Sequence, residues 1–204
     1  MPGRFPERAA HAHPLRRQRG FTVVELIMVI VLAGILAAFA ASRFYVRTGY
    51  DVAAFAETIR AMARYAQKLA VAQNRVVWVT GTVDAAGNVL GVGLCYTNST
   101  NCPTAQQVAV PNGTNSGNPN TRAICAVGGV YAPTWYCESA PSNGMTMKLS
   151  SGSFSPFFFN GLGKPFMPND VAGAASTFQT TKYIFSGDNV SVPVTVYQET
   201  GYVN

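Results

Sequence analysis

Only two of the 204 residues are histidine, His11 and His13, and none follows them. Ser-His-Asp and Cys-His arrangements therefore have no base in the remainder of the chain. Charge is thin as well: Asp, Glu, Lys and Arg together make up 12 %. Beyond the N-terminal segment the acids Asp51, Glu57, Asp84, Glu138, Asp170, Asp188 and Glu199 are scattered, and no spacing suggests an acid/base pair. They read mostly as turn and helix-surface residues, with Glu57 and Arg60 spaced for a surface helical pair. Phosphate-binding loops are missing too, because Gly161-Leu-Gly-Lys-Pro165 lacks the second half of that motif. These absences argue against an enzyme. They also leave no reason to expect a cofactor.

Cysteine is scarce, and no C-x-x-C spacing occurs. With both histidines far away, a zinc site is not expected. The four cysteines fall instead into two local pairs, Cys95 with Cys102 and Cys125 with Cys137, in loop-like surroundings. Two disulfides in an oxidising compartment are the expectation, and four buried free thiols the alternative.

The formal charge of +6 at first suggests an acidic partner such as nucleic acid. Its distribution does not. Arg4, Arg8, Arg16, Arg17 and Arg19 all precede Phe21, with Glu7 alone against them. The rest of the chain carries ten basic and eight acidic residues, a balance of +2. That is too mild for a nucleic-acid footprint.

What the chain does have is a long apolar run. Residues 23–41, VVELIMVIVLAGILAAFAA, reach the ~20 residues that cross a bilayer as helix. Arg16, Arg17 and Arg19 precede the run, which places residues 1–20 on the cytoplasmic side and everything after about Arg43 outside. Glu25 interrupts the run near its start, where the helix dipole favours an anion. A carboxylate at the centre of such a helix costs about 2.5–3.5 kcal/mol, so an acid there needs a cationic partner. Cleavage after Gly20 would create one, an α-amine on Phe21, four residues from Glu25.

Arg19-Gly20-Phe21-Thr22-Val23-Val24-Glu25-Leu26 and the apolar run after it resemble the class III leader of type IV prepilins and type II secretion pseudopilins. The resemblance implies a membrane prepilin peptidase that cuts between Gly20 and Phe21 and methylates the new Phe21 amine. It implies retention of the apolar helix, and Glu25 as the assembly contact that neutralises the terminal amine of a neighbouring subunit. Ordinary secretion is the rival reading, with Ala38-Phe39-Ala40 as a signal-peptidase site or Arg16-Arg17 as a twin-arginine signal. Neither accounts for the acid inside the run. His11 and His13 lie in the segment destined for removal.

A second helical stretch follows. Phe55, Ile59, Met62, Ala66 and Leu69 recur at spacings of four, three, four and three, forming one stripe, while Glu57, Arg60, Arg64 and Lys68 fall mostly off it. If residues 21–74 form one helix it is ~80 Å long, with Thr48-Gly49-Tyr50-Asp51 its weak point. Past Asn74 the pattern turns to strands. Residues 76–83 and 89–96 flank the turn Asp84-Ala-Ala-Gly-Asn88 as a hairpin. Residues 123–131, 145–149, 154–160 and 182–185 are further strands, and the alternating valines of 190–196 make the last, with Pro193 directing it to a sheet edge or bulge. Residues 97–122, rich in Asn, Thr, Gly and Pro, read as an exposed loop. Trp78, Trp135, Tyr136 and residues 157–159 are either core or a ligand platform.

Tyr65-Ala-Gln-Lys-Leu-Ala-Val-Ala72, Phe158-Phe-Asn-Gly-Leu-Gly-Lys-Pro165 and Val194-Thr-Val-Tyr-Gln-Glu-Thr-Gly-Tyr-Val203 resemble GspH/FimT-like pseudopilins. Within that family the pattern is similar to the MshC-type minor pilins of mannose-sensitive haemagglutinin (MSHA) pili. The implied fold is α+β: a long N-terminal helix, half transmembrane and half amphipathic, packed on an antiparallel sheet domain. The implied organisation is a cleaved leader 1–20, a membrane and filament-core helix 21–42, an amphipathic helix 43–75 and a β-rich periplasmic domain 76–204. The implied partners are the prepilin peptidase, other pilin or pseudopilin subunits, an inner-membrane assembly platform and membrane lipid, with no nucleic acid. A filament-tip adhesin or other ligand-binding subunit is the alternative.

Overall fold

A computed structural model of the protein describes residues 21–44, 47–111, 113–141, 145–149, 154–187 and 189–204, without the side chains of residues 39–44, 47, 48 and 149. The chain divides into two compact units, Met1–Tyr45 and Val46–Asn204.

The first unit holds helix α1, Val23–Phe44. Apolar side chains point in every direction from it, so it has no inward face to bury. Each large apolar residue from Val23 to Leu36 is more than half exposed.

The second unit is an α+β domain, a helix followed by antiparallel sheets. Helix α2, Arg47–Gln73, buries Val52, Phe55, Ala56, Ile59, Met62, Ala63, Ala66 and Ala70. These positions make one broad stripe of helical period, wide because alanines flank the larger residues. The helix ends on Asn74, whose φ of 46° is left-handed. Arg75 N donates to Ala70 O (3.0 Å) and Asn74 N to Val71 O (3.2 Å), the paired bonds that close a Schellman terminus.

Two sheets cover that stripe. The five-stranded sheet has the order β5-β2-β1-β7-β8, with β1 Val77–Val83, β2 Val89–Cys95, β5 Cys137–Ser139, β7 Phe157–Phe159 and β8 Pro165–Phe166. The three-stranded sheet has the order β10-β9-β6, with β6 Thr146–Leu149, β9 Thr181–Gly187 and β10 Val190–Val196. Phe55 meets Phe185 of β9 edge-on at 5.6 Å between ring centres, joining helix to sheet. Pro193 lies in β10, an edge strand, where its missing N–H costs no ladder bond. Its carbonyl instead accepts from Arg60 Nη2 at 3.1 Å.

Several local expectations need correction. Residues 123–131 are not one strand: helix α3, Pro119–Ile124, ends there, and two-residue strands β3 (Ala126–Val127) and β4 (Val130–Tyr131) follow. Pro119 stands in the first turn of α3 and the Asn118 side chain accepts from Thr121 N at 2.8 Å, so a cap decides the helix. Gly128 and Gly129 then both take positive φ, which turns β3 tightly into β4. Residues 97–122 are not simply an exposed loop either. Val108, Asn115 and Thr121 are buried there, and bridges Cys95–Gln107 and Ala109–Trp135 tie the segment to the sheet. The helix does not break at Gly49. A methyl added at Gly49 would lie 3.0 Å from Val190 Cγ2, so the missing side chain serves the approach of β10.

Candidate functional site

The start of α1 is built by a local cap. Thr22 lies just outside the helix; its Oγ1 accepts from Glu25 N at 3.2 Å and its carbonyl accepts from Leu26 N at 3.1 Å. Thr22-Val-Val-Glu25 has the spacing of a capping box, which sets an acid in the first turn. Phe21 is outside the helix and 81 % exposed. Glu25 is exposed on the same turn. Gly20, the arginines before it and both histidines lie outside the described residues. Among the described residues no helix is long and apolar enough to cross a membrane; the side chains of α1 are described only through residue 38.

In the second unit the cysteines are bonded as Cys95–Cys102 and Cys125–Cys137. Both bridges pack around Trp135 in a small second core, with Trp78, Val127 and Ala132 at its margin. Trp135 lies across Gly93, where a methyl would come within 2.6 Å of Cζ2. Its Nε1 donates to Leu94 O at 2.8 Å. The three phenylalanines of β7 are buried as well. Trp78 packs on Phe158, and Tyr136 on Tyr65. The aromatic candidates for a ligand platform are thus spent on packing, because each faces a glycine slot or another ring.

Among the described residues the carboxylates do not converge. Glu57 pairs with Arg60 on α2, and Lys164 with Glu199 at 3.1 Å. Asp84 holds its own turn, accepting from Asn88 Nδ2 (2.7 Å), Asn88 N (2.8 Å) and Ala86 N (2.9 Å). Those bonds, from the Asn88 side chain first, keep its carboxyl below the ordinary range. Asp84 and Asn88 also edge a cleft of about 380 Å³ with Leu90, Asn120, Ile124 and Met145. Glu138 is the residue that sequence reasoning misplaced. It is buried in β5, accepting from Ser116 N (2.7 Å) and Ser116 Oγ (2.5 Å), so it fixes the 97–122 segment to the sheet and is no surface acid. Burial first, and the neighbouring Glu138 after it, push the Tyr136 hydroxyl above its ordinary pKa. Among the described residues no three His, Cys, Asp or Glu side chains gather where they could hold a metal.

Three segments distant in sequence do meet at one corner. Gln67 of α2 donates through Nε2 to Gly163 O (3.0 Å) and Thr200 O (2.7 Å). Asn160 Oδ1 accepts from Leu162 N and Lys164 N, both at 3.0 Å, closing the turn between β7 and β8. Gly201, at φ 65°, passes so close that a methyl there would sit 2.1 Å from Gly163 O. Arg64 Nε donates to Val203 O at 2.9 Å. The helix segment 65–72, the turn 158–165 and the tail 194–203 therefore form one clamp. It holds the C-terminal strand to the helix and brings no reactive group together.

No curated protein matches the chain. Two crystal structures of the type IV minor pilin FimU from Pseudomonas aeruginosa (strain PAO1) are similar to it. The form in space group P21 is 15 % identical with a TM-score of 0.45, covering 76 % of this chain and 87 % of that one. The form in P65 is 14 % identical with a TM-score of 0.40, covering 73 % and 87 %. Residues 15–41 match the prokaryotic N-terminal methylation motif.

Proposed function

We propose that the chain is a type IV pilin-like subunit, a minor pilin or pseudopilin, with a structural and non-catalytic role in a filament. The observation that carries this reading is the methylation motif over residues 15–41, which contains Gly20, Phe21 and Glu25 and runs into helix α1. A prepilin peptidase cuts between Gly20 and Phe21 and methylates the Phe21 amine. The retained apolar helix anchors the subunit in the bacterial inner membrane by a single pass, with residues 43–204 in the periplasm. In the assembled state the same helix packs among other subunits on an inner-membrane platform. Glu25 there faces the Phe21 amine of a neighbour, where low dielectric strengthens the attraction. The two bonded cysteine pairs suit an oxidising periplasm. The helix, turn and tail segments that form the clamp are those that resemble GspH/FimT-like pseudopilins and, within them, MshC-type minor pilins, a likeness that suits an MSHA-type pilus and a type II secretion pseudopilus alike. An adhesin at the filament tip gains nothing from the buried aromatics.

Mass spectrometry of the membrane-bound protein tests the reading. The expected N-terminus is a methylated Phe21. An N-terminus at Ala41 makes residues 1–40 an ordinary signal peptide and ends the pilin reading.

A further inference from the structure

The cleft beside the Asp84 turn has no part in the scheme above. It measures about 380 Å³, within the range of ligand sites, and β2, β5, β6 and α3 all contribute to it. Its walls are fixed before anything enters. Ser139 Oγ donates to Leu90 O at 2.7 Å, and Asn120 Nδ2 to Ala140 O at 2.9 Å. Ile124 lies on Gly91, where a methyl would come within 2.7 Å of its Cγ2. Leu90, Ile124 and Met145 give the cleft an apolar side.

Its charge is one-sided. Among the described residues that line the cleft, Asp84 is the only charged one, and it belongs to neither ion pair of the described chain. Beside it, Asn88 Oδ1 is enclosed and has no hydrogen-bond partner. That amide cannot turn its oxygen away, because Nδ2 is held on Asp84 Oδ2. We infer that the cleft is a docking site for a lysine side chain of another polypeptide, with the ammonium at Asp84 and Asn88 and the stem along Leu90, Ile124 and Met145. An ammonium brings three N–H donors to the two oxygens, and its methylenes cover the apolar side. Arginine fits less well. Asp84 Oδ1 already accepts from Ala86 N and Asn88 N, and Oδ2 from Asn88 Nδ2, which leaves too few lone pairs for a two-pronged guanidinium. An anion is repelled by Asp84, and no aromatic ring among the described lining residues offers a sugar or base a stacking face.

The test titrates the full-length protein, in a neutral detergent and with isotope-labelled methionine methyl groups, with Nα-acetyl-lysine N-methylamide. The expected result is that the Met145 signal moves and saturates, while that of Met62, buried in the core, stays and reports that the domain is folded. The norleucine analogue, which has the stem without the ammonium, and the arginine analogue should each bind at least about fivefold more weakly. Asp84→Asn keeps an acceptor for the turn and should weaken the lysine probe about fivefold. Ala123→Leu, which fills the cleft from an exposed position on its lining, should abolish the shift. A Met145 signal that does not move, an equal response to the norleucine analogue, or unchanged binding in the two folded variants overturns the inference. Tighter binding of butylamine than of the lysine probe overturns the polypeptide partner and leaves a site for a free amine. None of these results depends on how the N-terminus is processed.

Discussion

Helices α1 and α2 are both long, alanine-bearing and free of proline, yet they solve opposite problems. In α2 the apolar residues recur on one face, and two sheets of its own unit cover that face. In α1 they surround the axis, and the large ones described stay more than half exposed. Total hydrophobicity thus says that a helix must be covered, and periodicity says whether its own domain can do it.

Matched substitutions sharpen that contrast. The largest effect is expected from Met62→Ala in α2, where the side chain is fully buried among both sheets. It should destabilise the second unit by about 2–5 kcal/mol. Leu32→Ala in α1 deletes similar apolar bulk, yet Leu32 is 58 % exposed, and the second unit should melt as in wild type. Thermal unfolding of both variants in detergent checks the pair. A fall in the second unit's stability with Leu32→Ala would mean that the two units are energetically coupled.

Smaller is the contrast between two glycines. Gly93→Ala drives a methyl to 2.6 Å from Trp135 in a closed slot and should cost about 1–3 kcal/mol through overpacking. Tryptophan fluorescence should report the displaced ring. Gly34→Ala in α1 meets nothing within 4 Å, and should be neutral or gain up to ~1 kcal/mol of helix propensity. Loss of helicity on Gly34→Ala would contradict the exposed state of α1.

No effect on the folding of the second unit is expected from Glu25→Ala. The carboxylate is exposed in the first turn of α1, and Glu25 is not among the residues of the buried core. Melting, disulfides and processing should be unchanged, while less of the variant enters sheared filaments relative to membranes. Equal incorporation would leave Glu25 without the assembly role proposed for it.

Legibility in the sequence followed the same division. The stripe of Phe55, Ile59, Met62 and Ala66 was readable because a helix repeats its inward face at a fixed period. Alternating valines placed β10, and Pro193 placed it at an edge, because the missing N–H is tolerated there. Residues 97–131 were misread, and the burial of Glu138 missed, because no period governs that part of the chain. Their order comes from a cap at Asn118, a tryptophan lying on a glycine and a glutamate bonded to Ser116. Asn118 stood as a capping signal before Pro119 and was the one local clue available there.

The sequence by itself determined the features that arise from neighbours along the chain. These are the apolar run with its acid, the turn held by Asp84 and the helical stripe, since one or two turns of backbone suffice to define each. Only the tertiary structure decided which strands pair, as in β1 with β7, and that Gln67 clamps Gly163 to Thr200. It alone turned Glu138 inward as well. Such contacts join residues that are far apart in the chain, and their closure entropy is offset only when the whole core forms at once.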